Sequence, residues 1–144
     1  MDDGRRRVLK ASGALIVAAA ALERGWAEAA SATDGTNPAL RDAALACASA
    51  GEACLAHCLT AFTAGDTSLG KCATLVQQMI VGCEAVAKLA AHGSPHLAAF
   101  AAACRDVCAD CEAECRKHEA HHEVCKRCAD ACAAFVKAAG AAHA

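Results

Sequence analysis

The chain has 144 residues, a formal net charge of −2, no tyrosine, two prolines and aromatic residues at only 3% of positions. This length fits one domain, the charge excludes a basic surface for nucleic acid, and the scarcity of strand-favouring residues predicts an all-α fold. Twelve cysteines are far more than an ordinary globular domain contains, so any account of function must explain them first.

The first 32 residues have the composition of an export signal. A basic run from Arg5 to Lys10 precedes an apolar stretch at 11–22, and small residues at 27–32 offer cleavage sites. The apolar stretch is too short to span a membrane, and the basic run resembles a twin-arginine signal. We therefore expect residues 1–32 to be a removable signal peptide, and the mature domain at 33–144 to be periplasmic and free of the membrane.

Four helices are predicted after this segment. Asn37-Pro38 is typical of a helix start, and glycine-containing turns follow at 65–68 and 93–95. The predicted helices run over about 37–64, 68–92, 95–117 and 122–139. Because the connections are short, neighbouring helices should be antiparallel, and we predict an up-down-up-down four-helix bundle.

The cysteines recur at helical spacing on all four predicted helices. Their positions are Cys47, Cys54, Cys58, Cys72, Cys83, Cys104, Cys108, Cys111, Cys115, Cys125, Cys128 and Cys132. Met79 lies seven residues after Cys72 and four before Cys83, on the same face as both. Steps of three, four, seven and eleven place residues on one face of a helix, so sulfur should occupy the seam where a bundle normally buries leucine or valine.

Three explanations of these cysteine stripes compete. Cysteine can act as a small buried hydrophobe, but that accounts for one or two residues rather than stripes on four helices. A disulfide scaffold is common in exported chains, yet residues one turn apart have Cβ atoms roughly 5–6 Å apart, whereas a disulfide needs about 3.5–4.5 Å. Bridges would therefore have to join different helices. The favoured explanation is a thiolate metal core, since soft sulfur ligands select Cu(I), Zn(II) or iron–sulfur clusters.

Among these metals, Cu(I) fits the spacing best. Iron–sulfur sites usually gather cysteines from loops, and structural zinc prefers closed groups of four ligands. Cu(I) accepts two or three thiolates and each thiolate can bridge two ions, so a ladder of sulfurs suits roughly one copper per cysteine. Sequestration of zinc or cadmium and a disulfide-stapled protein remain the alternatives. An enzyme is not expected, because Glu119-x-x-His122 has no second copy of the kind a di-iron bundle needs.

The cysteine spacing resembles that of the bacterial copper storage proteins. The resemblance rests on Cys104-x3-Cys108-x2-Cys111-x3-Cys115, His118-x2-His121 and Cys125-x2-Cys128-x3-Cys132. It implies a bundle whose inward cysteines hold many Cu(I) ions, a homotetramer, and copper held for a copper-requiring enzyme, such as particulate methane monooxygenase, or for a copper chaperone. Exported members carry a twin-arginine signal, and they tend to have several methionines near the bundle mouth. This chain has only Met1 and Met79.

Histidines are the candidate replacements for those methionines. The connections at 65–68 and 118–122 should share the sulfur-rich end of the bundle, which we expect to be its mouth. His118, His121 and His57 are predicted metal ligands there, because neutral imidazole binds Cu(I) without first losing a proton. His122, on the same connection as His118 and His121, is a further candidate. The opposite end should be an apolar plug of Leu40, Leu89, Leu97, Phe100 and Val136.

Overall fold

The computed structural model describes residues 36–141, and the predicted signal peptide lies outside the described residues. Within this range the chain forms four α-helices: α1 (Pro38–Thr63), α2 (Gly70–Ala91), α3 (Leu97–Arg116) and α4 (Glu123–Ala141). Each helix begins and ends within two residues of the predicted bounds. The all-α prediction is confirmed for the described residues.

Local signals account for several of the helix ends. The Asn37 side chain accepts a hydrogen bond of 2.9 Å from the backbone N–H of Leu40 and caps the start of α1. Glycines with positive φ follow α1 and α2, at 84° for Gly65 and 59° for Gly93, a conformation that other residues rarely adopt. The fourth helix extends past its predicted end at 139, because α4 continues to Ala141.

The helices form a ring in which each one packs against two neighbours. The contacting pairs are α1–α2, α2–α3, α3–α4 and α1–α4. Cys47 on α1 lies against Cys132 on α4, whereas Cys54, two turns later, lies against the earlier residue Cys125. The sulfur contacts between α1 and α2, and those between α2 and α3, also pair later residues of one helix with earlier residues of the next. The described helices are therefore antiparallel neighbours in an up-down-up-down bundle.

Buried positions alternate in steps of three and four on every helix. On α3 they include Ala101, Cys104, Cys108, Cys111 and Cys115, and on α4 they include Cys125, Cys128, Cys132, Phe135 and Ala139. This alternation is the heptad pattern of packed helices. By length and composition α1 could cross a membrane. In this structure its heptad positions are buried against the other helices of the bundle.

The apolar end of the bundle differs from the prediction at one position. Leu40 and Phe135 are fully buried there, but Phe100 is 52% exposed, so its assignment to the plug is wrong. The heptad step before Cys104 is three residues rather than four, which places Ala101 in the seam. The predicted Leu89, Leu97 and Val136 are partly buried.

Candidate metal centre

All twelve cysteines face the interior of the bundle. Eleven are completely buried and the twelfth, Cys104, is 4% exposed. All twelve lie within the described residues as free thiols, and the Sγ–Sγ distances of Cys72–Cys115 and Cys83–Cys108, between neighbouring helices, are 3.6 Å. A disulfide bond is about 2.05 Å long. The disulfide scaffold that the sequence left open is therefore not the arrangement of this structure.

The interior residues form layers across the bundle, set by the heptad steps and by contacts between facing helices. From the end at the 65–68 turn inwards, the layers contain Cys58; then Cys54, Cys72, Cys115 and Cys125; then Gly51, Val76, Cys111 and Cys128; then Cys47, Met79, Cys108 and Cys132; and last Cys83 and Cys104. We call these the outer, four-cysteine, middle, Met79 and deep layers.

The sulfurs also form five groups of three, within which all Sγ atoms lie within 4.8 Å of one another. The groups are Cys54–Cys58–Cys72, Cys54–Cys115–Cys128, Cys111–Cys128–Cys132, Cys47–Cys108–Cys132 and Cys83–Cys104–Cys108. Consecutive groups share one cysteine, so together they make a continuous column of sulfur. Such a column can provide a soft metal ion with two or three thiolates, some of which bridge to the next ion.

Met79 lies inside this column. It is fully buried, and its Sδ atom is 3.3 Å from the Sγ atom of Cys47. A Cβ atom at Gly51 would come within 2.6 Å of the Met79 Cε atom, and one at Gly82 would come within 2.9 Å of the Cys104 Sγ atom. Gly51 therefore makes room for the Met79 methyl group and Gly82 for the Cys104 sulfur, roles that were not predicted from the sequence. The available signal was that Gly51 stands four residues after Cys47 in an otherwise sulfur-bearing stripe.

Burial and mutual hydrogen bonding decide which thiols hold their protons. Burial raises the pKa of the Cys58 thiol from its ordinary value of 9.0 to about 11, and that of Cys125 to about 12. The thiols of Cys111 and Cys115 donate to the Cys128 sulfur and lower the pKa of Cys128. At neutral pH Cys58 and Cys125 are therefore protonated, and each must release its proton to bind a metal. Metal affinity should rise with pH for this reason.

Three histidines meet at the end of the column next to the outer layer. The Nε2 atom of His57 is 2.9 Å from the Nδ1 atom of His122, so one ring donates a hydrogen bond and the other accepts it. The ring centroid of His118 is 6.4 Å from that of His122. We call His57, His118 and His122 the histidine end.

The histidine end contains two of the three histidines predicted as ligands. His121, the third, is exposed on the connection between α3 and α4. His121 stands four residues before Cys125, but α4 begins at Glu123, so helical spacing does not apply to His121. His122 takes the inward position against His57 instead.

Glu114 lies on α3, one helical turn before His118 and next to the histidine end, and was not predicted from the sequence. It is 7% exposed and accepts hydrogen bonds from Lys117, whose Nζ atom is 2.7 Å away, with the Lys71 Nζ atom at 3.2 Å. The Lys117 ammonium, with that of Lys71, lowers the pKa of Glu114 to about 2. The Nε2 atom of His118 is 3.4 Å from the carboxylate but is buried without a hydrogen-bond partner among the described residues.

The sequence carries independent evidence on what this column binds. The family model described as copper storage protein matches residues 34–144. The chain belongs to the copper storage protein family. A search of curated proteins gives no significant match. Membership of this family implies copper ions as ligands, and the family is one of storage proteins rather than of enzymes.

Proposed function

We propose that the protein stores multiple Cu(I) ions on its twelve cysteine sulfurs, with the Met79 thioether as a further ligand. The observation that carries this proposal is the chain of sulfur triads in which each group shares a cysteine with the next. Shared sulfurs can bridge ions, so a column of this kind favours many linked ions over a few separate ones. Family membership supports copper as the metal.

The sharing of sulfurs between groups favours Cu(I) over zinc or cadmium. Structural zinc is bound almost always by four ligands in a closed tetrahedron, whereas each group here shares a cysteine with the next. Burial also supports the reduced state of copper, because thiols at 0–4% exposure are shielded from oxidants in solution. A closed, thiol-lined interior would then protect both the cysteines and the Cu(I).

Export and delivery are part of the same proposal. The basic and apolar order of residues 1–32 supports export to the periplasm through the twin-arginine pathway, which transports folded proteins. There the loaded protein would supply a copper-requiring enzyme or a copper chaperone. The family resemblance supports a homotetramer as the assembled form.

The test of storage is a titration of the reduced protein with Cu(I) in the presence of a competing Cu(I) chelator. We expect a capacity close to one ion per cysteine, with proton release on binding, since protonated thiols such as Cys58 must ionise. Excess Zn(II) or Cd(II) should leave the bound copper in place. A capacity of four ions or fewer, or displacement by Zn(II), would contradict the proposal.

We also propose that copper passes into and out of the column at the histidine end. The close pair of His57 and His122, with the His118 ring beside His122, places imidazole groups at the end of the bundle that holds the outer layer. Neutral imidazole is a good Cu(I) ligand. The opposite end is filled by Leu40 and Phe135, both buried, and offers no comparable set of ligands among the described residues.

A double variant tests the histidine end. Replacing His57 and His122 with alanine should slow Cu(I) uptake, and its removal by chelator, by about tenfold, the equivalent of about 1.4 kcal/mol in barrier height. Capacity should change little because the thiols remain. The matched control replaces His92 and His96, which are exposed at the other end of the bundle, and should behave as wild type. Equal rates of Cu(I) uptake and removal in the two double variants would contradict a role of the histidine end in copper passage.

A further inference from the structure

The middle layer contains fewer sulfurs than the layers on either side of it. Of its four positions only Cys111 and Cys128 are cysteines, and both belong to the α3–α4 side of the bundle. The α1 and α2 positions are Gly51 and Val76, both buried. The layer on the outer side has four cysteines, and the layer on the inner side has three cysteines and Met79.

Packing explains why the α1–α2 side of the middle layer has no sulfur of its own. The Met79 methyl group lies over Gly51, where a Cβ atom would be only 2.6 Å from it. The Met79 Sδ atom contacts Cys47 in the next layer inwards. Val76 fills the remaining space with a fully buried aliphatic side chain. On this side the sulfur column is interrupted.

The shared triads cross the middle layer on the same side, through the one triad that contains both Cys111 and Cys128. The triad Cys111–Cys128–Cys132 connects the outer triads, through Cys128, with the inner ones, through Cys132. All three of its members lie on α3 and α4. A Cu(I) ion moving by exchange from one sulfur to the next therefore meets thiols at this depth only on one side of the bundle, among the described residues.

We infer that Cys111 and Cys128 form a relay through which the Met79 and deep layers are loaded and emptied. The inference rests on the proposed storage of Cu(I) with uptake at the histidine end. It divides the column into an outer compartment that exchanges copper rapidly and an inner one whose exchange depends on two thiols. Beyond serving as ligands, these two residues would control the rate at which most of the inner copper is released.

Two double variants of the full chain separate the relay from simple loss of ligands. Cys111→Ala with Cys128→Ala removes the relay, and Cys83→Ala with Cys104→Ala removes the same number of thiols from the deep layer, beyond which no further sulfur lies in the described residues. Cu(I) uptake and removal by excess chelator would be followed over time under anaerobic conditions. We expect the relay variant to show a second phase at least tenfold slower than in wild type, and the deep variant to lose capacity but retain wild-type rates.

A gain-of-function variant distinguishes loss of the relay from a folding defect. Val76→Cys adds a thiol to the middle layer on the α2 side, and in the relay variant it should restore much of the fast phase. Val76→Ala in the same background, which makes room without adding sulfur, should not. If wild type binds few Cu(I) ions, the proposed storage fails. If wild type binds many but the relay and deep variants exchange copper at equal rates, or if Val76→Ala restores as much as Val76→Cys, the relay is refuted.

Discussion

Loading with Cu(I) should raise the melting temperature of the protein by about 20 °C or more. A ligand that binds only the native state stabilises it by about 4 kcal/mol per site at a thousandfold excess over its dissociation constant. Several sites should therefore contribute well over 10 kcal/mol, while each kcal/mol shifts the melting temperature of a domain of this size by roughly 2–8 °C. The metal-free core is held by cysteines, which bury less apolar volume than leucine would, so its starting stability should be low.

The measurement is thermal unfolding followed by circular dichroism, with and without bound copper. Removal of the metal by a strong Cu(I) chelator should return the melting temperature to that of the metal-free protein. The same ratio of Zn(II) to protein serves as the control and should stabilise less. An unchanged melting temperature after copper loading would place the copper outside the bundle interior.

The second large effect concerns Phe135 at the apolar end. Phe135→Ala should lower the free energy of unfolding by about 3–5 kcal/mol, because it removes a fully buried aromatic ring and leaves a cavity. Phe100→Ala is the matched control: the same substitution at a residue that is 52% exposed should cost less than about 1 kcal/mol. Both values would be measured by denaturant unfolding of the copper-loaded protein.

Copper capacity provides the second readout of these two variants. Neither phenylalanine bears a ligand atom, so both variants should bind as many Cu(I) ions as the wild type once loaded. Similar costs for the two substitutions would contradict the burial of Phe135. Loss of copper from Phe135→Ala, in a form that remains helical, would show that the apolar end helps to enclose the metal and does not merely stabilise the fold.

Local sequence patterns were sufficient to predict the helices and the side of each helix on which its cysteines lie. Helix starts and stops depend on neighbouring residues, such as the Asn37 side chain and the positive φ of Gly65, so they can be recognised without knowledge of the fold. The cysteine steps of three and four likewise depend only on helix geometry. For this reason the bundle, the buried thiols and the resemblance to the copper storage family could all be predicted from the sequence.

Contacts between residues distant in the chain were decided only by the tertiary structure. The pairing of His57 with His122 spans 65 residues and includes a connection in which helical spacing does not apply. The positions of the four helices along the bundle axis decide which sulfurs share a layer. They also place Gly51 and Val76 in the middle layer, which therefore contains only two sulfurs. Periodicity specifies which face of a helix turns inwards, but not how far each helix is displaced along its axis relative to its neighbours. That displacement results from the packing of all four helices together, and it determines the arrangement of the sulfur column.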